Sequence, residues 1–224
     1  MKFYVMGTPI GNMEDITYRA VRVLGEVDLV LCEDTRVTKN LLDKYNIKKP
    51  TLSFHSQSKL SKTDQIIKLI EEGKTLVLVS DAGTPTISDP GSILVSKIRA
   101  SFPEIEIISI PGPSAVTSAL SISGLPASDF TFLGFLPHKK GRETLFKEIA
   151  ESERTMVFYE SPHRILKALE SLQKFVPERK IVIAREITKV FEQTVSGTPI
   201  EVLKYFTDYS DKVRGEFVVL VSGR

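Results

Sequence analysis

The chain has 224 residues, 42% hydrophobic and 26% charged, which is ordinary globular composition. Its net charge of +2 neither requires nor excludes a nucleic-acid partner, since a local basic patch can exist within a balanced total. The single Cys32 excludes an internal disulfide, and His55, His138 and His163 are too far apart for a local metal motif, so no metal is predicted. There is no basic-then-apolar leader and no run of 18 apolar residues, so we expect a cytoplasmic protein.

The first quarter of the chain alternates short apolar runs with polar loops. Residues 3–6 lead into Gly-Thr-Pro-Ile-Gly-Asn at 7–12, whose spacing is neither a dinucleotide fingerprint nor a phosphate P-loop. A helix predicted from Thr17 precedes a strand at 29–32, which ends in Glu-Asp-Thr-Arg at 33–36. Three charges at the end of a buried strand are costly unless they are paired or used. Alternatively, Asp34 or Thr35 caps the next helix and Arg36 is solvated.

The most informative loop reads Ser-Asp-Ala-Gly-Thr-Pro-Thr-Ile-Ser-Asp-Pro-Gly, at residues 80–91. It lies between a predicted buried strand at 75–79 and a helix at 92–100, and ligands of open α/β sheets bind at the carboxyl ends of strands. A third rigid loop, at 111–115, follows a predicted strand at 104–110. A double turn is the alternative for the central loop alone. Three such loops predict a binding site at one edge of one sheet.

The second half of the chain has a different texture, after a segment at 123–128 that is dense in small residues and reads as a linker. We therefore predict an α/β fold of two α/β domains, 1–122 and 123–224. Predicted strands of the second domain lie at 130–135, 155–159, 180–184, 190–196 and 216–221. Predicted helices span 141–150 and 199–206, and a third runs from Pro162 through Leu169.

These stretches together resemble the family of bacterial ribosomal RNA small subunit methyltransferase I. The central loop carries the signature, and the similarity continues through residues 7–12, 32–36, 111–115, 158–164 and 184–186. The resemblance implies a tetrapyrrole-methylase-like, class III S-adenosylmethionine-dependent methyltransferase with its cofactor cleft between the two domains. It also implies 2′-O-methylation of a cytidine ribose in 16S ribosomal RNA of the small ribosomal subunit, a homodimer and no membrane partner. The sequence departs from the family pattern after His55, where Ser-Gln-Ser-Lys replaces an expected Asn-Glu-containing stretch.

The resemblance also implies which residues bind the cofactor. Those of the first domain are Pro9, Asp81, Gly83, Thr84, Ser114 and Ala115. Strand ends of the second domain, near Met156, Phe158, Ala184 and Gly215, would close over the pocket. The adenine needs an apolar slot, which Ile87, Leu133 and Met156 can supply, although a Met within a strand is more often a core residue.

Candidate catalytic residues are charged groups at strand ends, because an acceptor must take the proton of the ribose hydroxyl. The carboxylates are Glu33, Asp34, Glu160 and Glu186. Arg36, Arg164 and Arg185 would bind phosphates or orient those carboxylates. The alternative for each is an intramolecular ion pair. Contact with RNA phosphates is expected from the basic residues within 138–142 and 44–49, which alternatively are solvated helix ends.

Three other functions remain open from the residues alone. The nearest is a methylase of the same fold that acts on a small molecule such as a tetrapyrrole. A nicotinamide-dependent dehydrogenase is disfavoured by the missing fingerprint. A non-catalytic ribosome-assembly factor would bind the cofactor only for stability.

Overall fold

The computed structural model describes residues 1–55 and 60–224, and the chain forms two compact units, Met1–Ser114 and Ala115–Arg224. The first unit contains a five-stranded sheet of β1 (Lys2–Met6), β2 (Leu29–Cys32), β3 (Thr51–Ser53), β4 (Leu76–Val79) and β5 (Glu106–Ile110). Its order is β3-β2-β4-β1-β5, and every neighbouring pair is parallel. All carboxyl ends therefore lie on one edge.

Helices cover both faces of this sheet, as the continuous apolar strands require. They are α1 (Tyr18–Glu26), α2 (Thr35–Lys44), α3 (Leu60–Glu71) and α4 (Ser92–Ser101). Alternate residues of β4 divide between two cores: Val77 packs with α1 and α2, whereas Leu78 packs with α3 and α4. The predicted cap of α1 is confirmed, because Thr17 Oγ1 accepts the Ala20 N–H at 3.1 Å.

The second unit contains a mixed sheet of β6 (Phe130–Phe135), β7 (Thr155–Glu160), β8 (Ile181–Arg185), β9 (Gln193–Gly197) and β10 (Phe217–Val221). The order is β6-β7-β10-β8-β9. β6 and β7 are parallel, and β10 runs antiparallel to both β7 and β8. Phe217 pairs with Glu160 on one side and Arg185 on the other, so the carboxyl ends of β7 and β8 lie level at one edge.

The helices of the second unit are α5 (Ala115–Ser123), α6 (Arg142–Glu151), α7 (Ile165–Phe175) and α8 (Pro199–Asp208). Phe146, Phe158, Phe206 and Phe217 form the centre of its core. Because α5 packs on β10 and β8, the division between the units falls after Ser114, eight residues before the predicted linker.

Two predicted elements begin three residues later than expected. The strand predicted at 190–196 begins only at Gln193, since residues 186–192 form a loop in which Val190 is 94% exposed and Phe191 70% exposed. The helix predicted from Pro162 begins at Ile165. In the part of the chain that the structure describes, no helix has both the length and the apolar composition to cross a membrane.

Candidate functional site

Four loops leave the carboxyl ends of β1, β2, β4 and β5, and together they form what we term the first edge. Two of them touch backbone to backbone at Gly7 and Gly112. A Cβ atom on Gly112 would lie 2.7 Å from the Gly7 carbonyl oxygen, and one on Gly7 would lie 2.9 Å from the Gly112 Cα. Only glycine at both positions allows this approach, which brings the loop after β1 against the loop after β5.

The loop after β1 is also bonded to the loop after β4. Thr8 and Gly83 exchange backbone hydrogen bonds of 2.9 and 3.1 Å, and Gly83 has a left-handed φ of +82°. The buried Thr8 hydroxyl donates to the Ser80 carbonyl oxygen at 3.1 Å. The predicted convergence of the three glycine- and proline-containing loops is thus confirmed, and Thr8 and Ser80 are two linking residues that the sequence alone did not single out.

The central loop contains backbone strain. Thr86 and Ser88 have left-handed φ values of +76° and +61°. For a β-branched residue such as Thr86 this conformation is an outlier, and strain of about 1–3 kcal/mol per residue is typical of ligand sites. Gly91 has φ +131°, and a side chain there would collide with Leu78 of β4. The loop is therefore held in one shape by its contacts with the sheet.

The first edge carries a group of acidic side chains. Burial, followed by the neighbouring Asp89 and Asp81 carboxylates, raises the pKa of Glu33 to about 7. Burial also raises the pKa of Asp89, although a hydrogen bond from Ser80 acts in the opposite direction. The exposed Asp81 accepts the Asp34 N–H at 3.0 Å. Asp89 is not among the individually predicted site residues, because Asp-Pro-Gly is also a common turn sequence.

Asp34 and Arg36 fit the alternative interpretation of their motif. Asp34 caps α2 by accepting the Arg36 N–H at 2.8 Å, and it also binds the Arg36 guanidinium, Oδ2 to Nη2, at 2.6 Å. The hydrogen bonds from the Arg36 side chain and backbone lower the pKa of Asp34 to about 2. A carboxylate that is stabilised in its ionised form in this way is a poor proton acceptor. The Arg36 side chain itself is 88% exposed, as the alternative interpretation predicts.

We term the carboxyl ends of β6, β7 and β8, with the start of β10, the second edge. Here Glu160 is fully buried between two arginines. Its oxygens lie 2.8 Å from Arg142 Nη2 and 2.8 Å from Arg164 Nε, and the Ser161 N–H adds a third bond at 2.9 Å. Glu160 is therefore an internal ion-pair partner, and nothing in the sequence pointed to Arg142 as the second arginine.

Arg185 is 9% exposed and its guanidinium binds backbone. Nε donates to the Arg214 carbonyl oxygen at 2.9 Å and Nη1 to that of Phe191 at 3.2 Å. Arg185 thus joins the loop after β8 to the segment before β10.

The Glu186 carboxylate completes this attachment. It accepts the Glu216 N–H at 2.9 Å and the Lys189 ammonium at 3.0 Å. Burial raises the pKa of Glu186, but these two interactions outweigh it and the pKa lies below the ordinary value. Gly215 faces the same carboxylate, and a side chain there would collide with it.

The residues expected to bind the cofactor fall into two groups. Those of the first edge lie in its loops: Pro9 and Gly83 are buried, Thr84 and Ser114 are half-buried, and Ile87 and Asp81 are exposed. Those of the second unit are more enclosed. Met156, Phe158 and Ala184 have buried side chains within strands, Leu133 packs against the core, Ala115 opens α5, and Gly215 precedes β10. A ligand could contact the strand residues only through their backbone.

The remaining predicted segments are placed as follows. Residues 44–49 connect the end of α2 to the start of β3, so they lie at the opposite end of the sheet from the first edge. His138, Lys139 and Lys140 are exposed at the second edge. The departure from the family pattern at 56–59 lies outside the described residues. Among the described residues, no three His, Cys, Asp or Glu side chains are arranged to hold a metal ion.

Comparison with known proteins agrees with this architecture. Residues 2–202 match the family model of tetrapyrrole (corrin/porphyrin) methylases. The chain is 46% identical over 223 residues to "Ribosomal RNA small subunit methyltransferase I" of Thermotoga maritima, covering 100% of this chain and 99% of the relative. It is 44% identical to the protein of the same name from Vibrio cholerae, and the match covers 98% of this chain and 76% of that relative.

Solved structures show the same fold at low identity. The methyltransferase CobJ superposes with a TM-score of 0.70 at 22% identity, covering 99% of this chain and 93% of that one. Cobalt precorrin-4 methyltransferase CbiF superposes with a TM-score of 0.69 at 18% identity, covering 99% of this chain and 94% of that one. The chain therefore belongs to the tetrapyrrole methylase family of methyltransferases and, within it, to the family of ribosomal RNA small subunit methyltransferase I.

Proposed function

We propose that the chain transfers a methyl group from S-adenosylmethionine to the ribose 2′-oxygen of a cytidine in 16S ribosomal RNA of the small ribosomal subunit. The observation that carries this proposal is the acidic first edge, where four loops meet at the carboxyl ends of parallel strands. The names of the relatives at 44–46% identity support small-subunit ribosomal RNA as the substrate. The ribose position rests on the family resemblance.

The side chains of the first edge fit the proposed cofactor. Its sulfonium and ammonium groups are cations, and Asp81, Glu33 and Asp89 place carboxylates among loops with accessible backbone. When bound, the cofactor supplies a methyl group already activated for displacement. We assign its binding to Pro9, Asp81, Gly83, Thr84, Ile87, Ser114 and Ala115, with the backbone near Leu133, Met156, Phe158, Ala184 and Gly215.

Among the candidate proton acceptors, Glu33 is the one whose surroundings suit the task. A general base works best when its pKa lies near the operating pH, and the pKa of Glu33 is about 7. Asp34 is held ionised by Arg36, and Glu160 is enclosed by two guanidiniums. We therefore assign to the Glu33 carboxylate the proton released by the acceptor hydroxyl.

The test is transfer of radiolabelled methyl from S-adenosylmethionine to hypomethylated small subunits and to naked 16S RNA. Nuclease digestion then locates the label on ribose or base. Label on a cytidine 2′-oxygen is the expected result. Calorimetric binding of the cofactor without any RNA label would overturn the RNA substrate and favour a small-molecule acceptor.

We also propose that two copies associate, as the resemblance implies, and that the protein acts in the cytoplasm, where ribosomal subunits are assembled. The loop after β8 exposes Val190 and Phe191, at 94% and 70%, which is apolar area suited to an interface. Sedimentation equilibrium at micromolar concentration should give twice the chain mass of 25.0 kDa. A monomer under those conditions would refute the dimer.

A further inference from the structure

The loop between β6 and α6 exposes three consecutive basic residues, His138, Lys139 and Lys140, which we term the basic turn. It is preceded by the buried Leu136 and the half-buried Pro137. It is followed by Gly141, whose left-handed φ of +85° lets the chain enter α6. The turn lies at the second edge, where β6 ends.

A buried group of charges holds the backbone just before this turn. Arg164 Nη1 donates to the Leu136 carbonyl oxygen at 2.9 Å, and Arg142 Nη1 donates to the Pro137 carbonyl oxygen at 3.3 Å. The same two guanidiniums bind the two oxygens of Glu160. We term Arg142, Glu160 and Arg164 the arginine–glutamate cluster. One carboxylate thereby fixes two arginines, and each arginine fixes one of two consecutive peptide carbonyls.

Stability alone does not account for such an arrangement. The side chains of Arg142, Glu160 and Arg164 are 14%, 0% and 16% exposed. Apolar side chains of similar volume usually stabilise a core as well as a buried ion group does, because ions lose their hydration on burial. What the cluster provides, and apolar residues would not, is a pair of directed hydrogen bonds to the backbone at 136–137.

The arginine–glutamate cluster and the basic turn together carry a net positive charge. Two guanidiniums share one carboxylate, so the arginine–glutamate cluster retains one positive charge, and Lys139 and Lys140 add two more. Glu143, at the start of α6, is exposed, and its Oε1 lies 3.5 Å from Lys147 Nζ. Exposed cations on a fixed loop suit a phosphate backbone, which is recognised by charge and position and not by base identity.

We propose that the basic turn binds phosphates of the substrate RNA, and that Glu160 is a positioning residue that sets the turn through Arg142 and Arg164. The identity of the RNA, small-subunit ribosomal RNA, rests on the proposed function. The binding itself is measurable whether or not methyl transfer takes place.

The first test measures binding of hypomethylated small subunits and of naked 16S RNA across a range of salt concentrations, by filter binding. The double variant Lys139→Gln/Lys140→Gln should bind more weakly, and the slope of log K against log salt should fall in magnitude by about 1.4–1.8, the value for two lost phosphate contacts. The matched control is Lys174→Gln/Lys180→Gln, which removes the same charge from exposed lysines in the last turn of α7 and just before β8, away from the second edge. Equal slopes for the two double variants would overturn the proposal.

The second test separates positioning from charge. Glu160→Gln makes the arginine–glutamate cluster more positive, so electrostatics alone predicts tighter RNA binding. Positioning predicts weaker binding, together with faster hydrogen exchange of amides 136–141. Arg164→Lys keeps the charge, but a single ammonium cannot bridge Glu160 and the Leu136 carbonyl oxygen, so this variant should also bind RNA more weakly. Cofactor binding by calorimetry confirms that each variant is folded.

The outcomes distinguish this proposal from the proposed function. If the wild-type protein methylates the RNA but the basic-turn variant binds as the control does, the inference fails and the function stands. If the wild-type protein binds RNA through the basic turn without methylating it, the function fails and the inference stands. Tighter binding by Glu160→Gln would refute the positioning role.

Discussion

The two edges occupy equivalent places, each at the carboxyl ends of strands in its own sheet, yet they differ in charge. At the first edge burial and neighbouring carboxylates raise the pKa of Glu33 and of Asp89, Asp81 is exposed, and the loops meet through glycine and backbone. At the second edge the carboxylates Glu160 and Glu186 are matched by cations. An acidic edge suits a cationic cofactor, and a basic edge suits an RNA backbone.

The comparison also shows that similar distances can have different meanings. The Asp34–Arg36 pair at the first edge is 2.6 Å long, and the Glu160–Arg142 pair at the second is 2.8 Å long. The Arg36 side chain is 88% exposed, whereas Glu160 is inaccessible to solvent. Solvent screens the first pair, so its contribution is small, while loss of one partner of the second leaves a buried charge. The burial of an ion pair, more than the distance between its charged atoms, therefore determines how much the pair contributes to stability.

The largest effect is expected from Glu160→Ala, which leaves two buried guanidiniums without a counterion. Breaking a buried ion group in this way costs about 3–5 kcal/mol of the free energy of unfolding. Urea denaturation of the purified protein measures that cost. The control, Glu143→Ala, removes an exposed i,i+4 pair on α6 and should cost about 0.5 kcal/mol or less. Equal costs for the two variants would show that the second edge is not a buried ionic centre.

The next largest effect is expected from Gly112→Ala at the first edge. The added Cβ would lie 2.7 Å from the Gly7 carbonyl oxygen, so the loops after β1 and β5 must separate. We expect a loss of about 1–3 kcal/mol in stability, as for an overpacked core, and a cofactor affinity about tenfold lower, measured by calorimetry.

The control for that variant is Gly25→Ala in α1. Apart from the neighbouring residues and backbone of α1 itself, no atom lies within 4 Å of the added methyl group, and alanine favours helix over glycine, so stability should rise by about 0.5–1 kcal/mol. An unchanged cofactor affinity in Gly112→Ala would show that the close approach of the two loops does not shape the cofactor site.

The elements that the sequence predicts best are those with a strong local pattern. Residues 29–32 and 130–135 are strands with the predicted bounds. The first is a short apolar run between polar segments, and the second is a mostly apolar run between Asp129 and Pro137. The strand predicted at 190–196 begins late because Val190 and Phe191, although apolar, lie on a loop fixed by Arg185. Alternation alone does not tell an exposed apolar pair from the start of a strand.

The sequence predicts where the site lies, but not which charged side chains form ion pairs with one another. Glycine and proline at strand ends indicate where the loops of the first edge meet, because glycine permits close approach of two backbones and proline fixes φ. Which charges neutralise one another depends on contacts across the fold, such as Arg142 with Glu160, 18 residues apart. No local pattern encodes such a contact. The group of strand-end charges was therefore visible in the sequence, while the difference between Glu33 and Glu160 was not.

The smallest effect, and the one that depends on pH, is expected from Glu33→Gln. Burial and neighbouring carboxylates raise the pKa of Glu33 from about 4.5 to about 7, so the folded state holds this proton more tightly than the unfolded state does. Ionisation of Glu33 therefore removes stability as the pH rises from 4.5 through 7, and glutamine cannot ionise. Near pH 4 the variant should have the same midpoint of thermal unfolding as the wild type, and at pH 8 its midpoint should be slightly higher. The exposed Glu14→Gln is the control.

Methyl transfer by the wild type should rise with pH through 7, and the variant should lose that rise. A pH-independent difference in stability would mean that folding does not shift the pKa of Glu33, and the proton acceptor would then have to be sought elsewhere at the first edge.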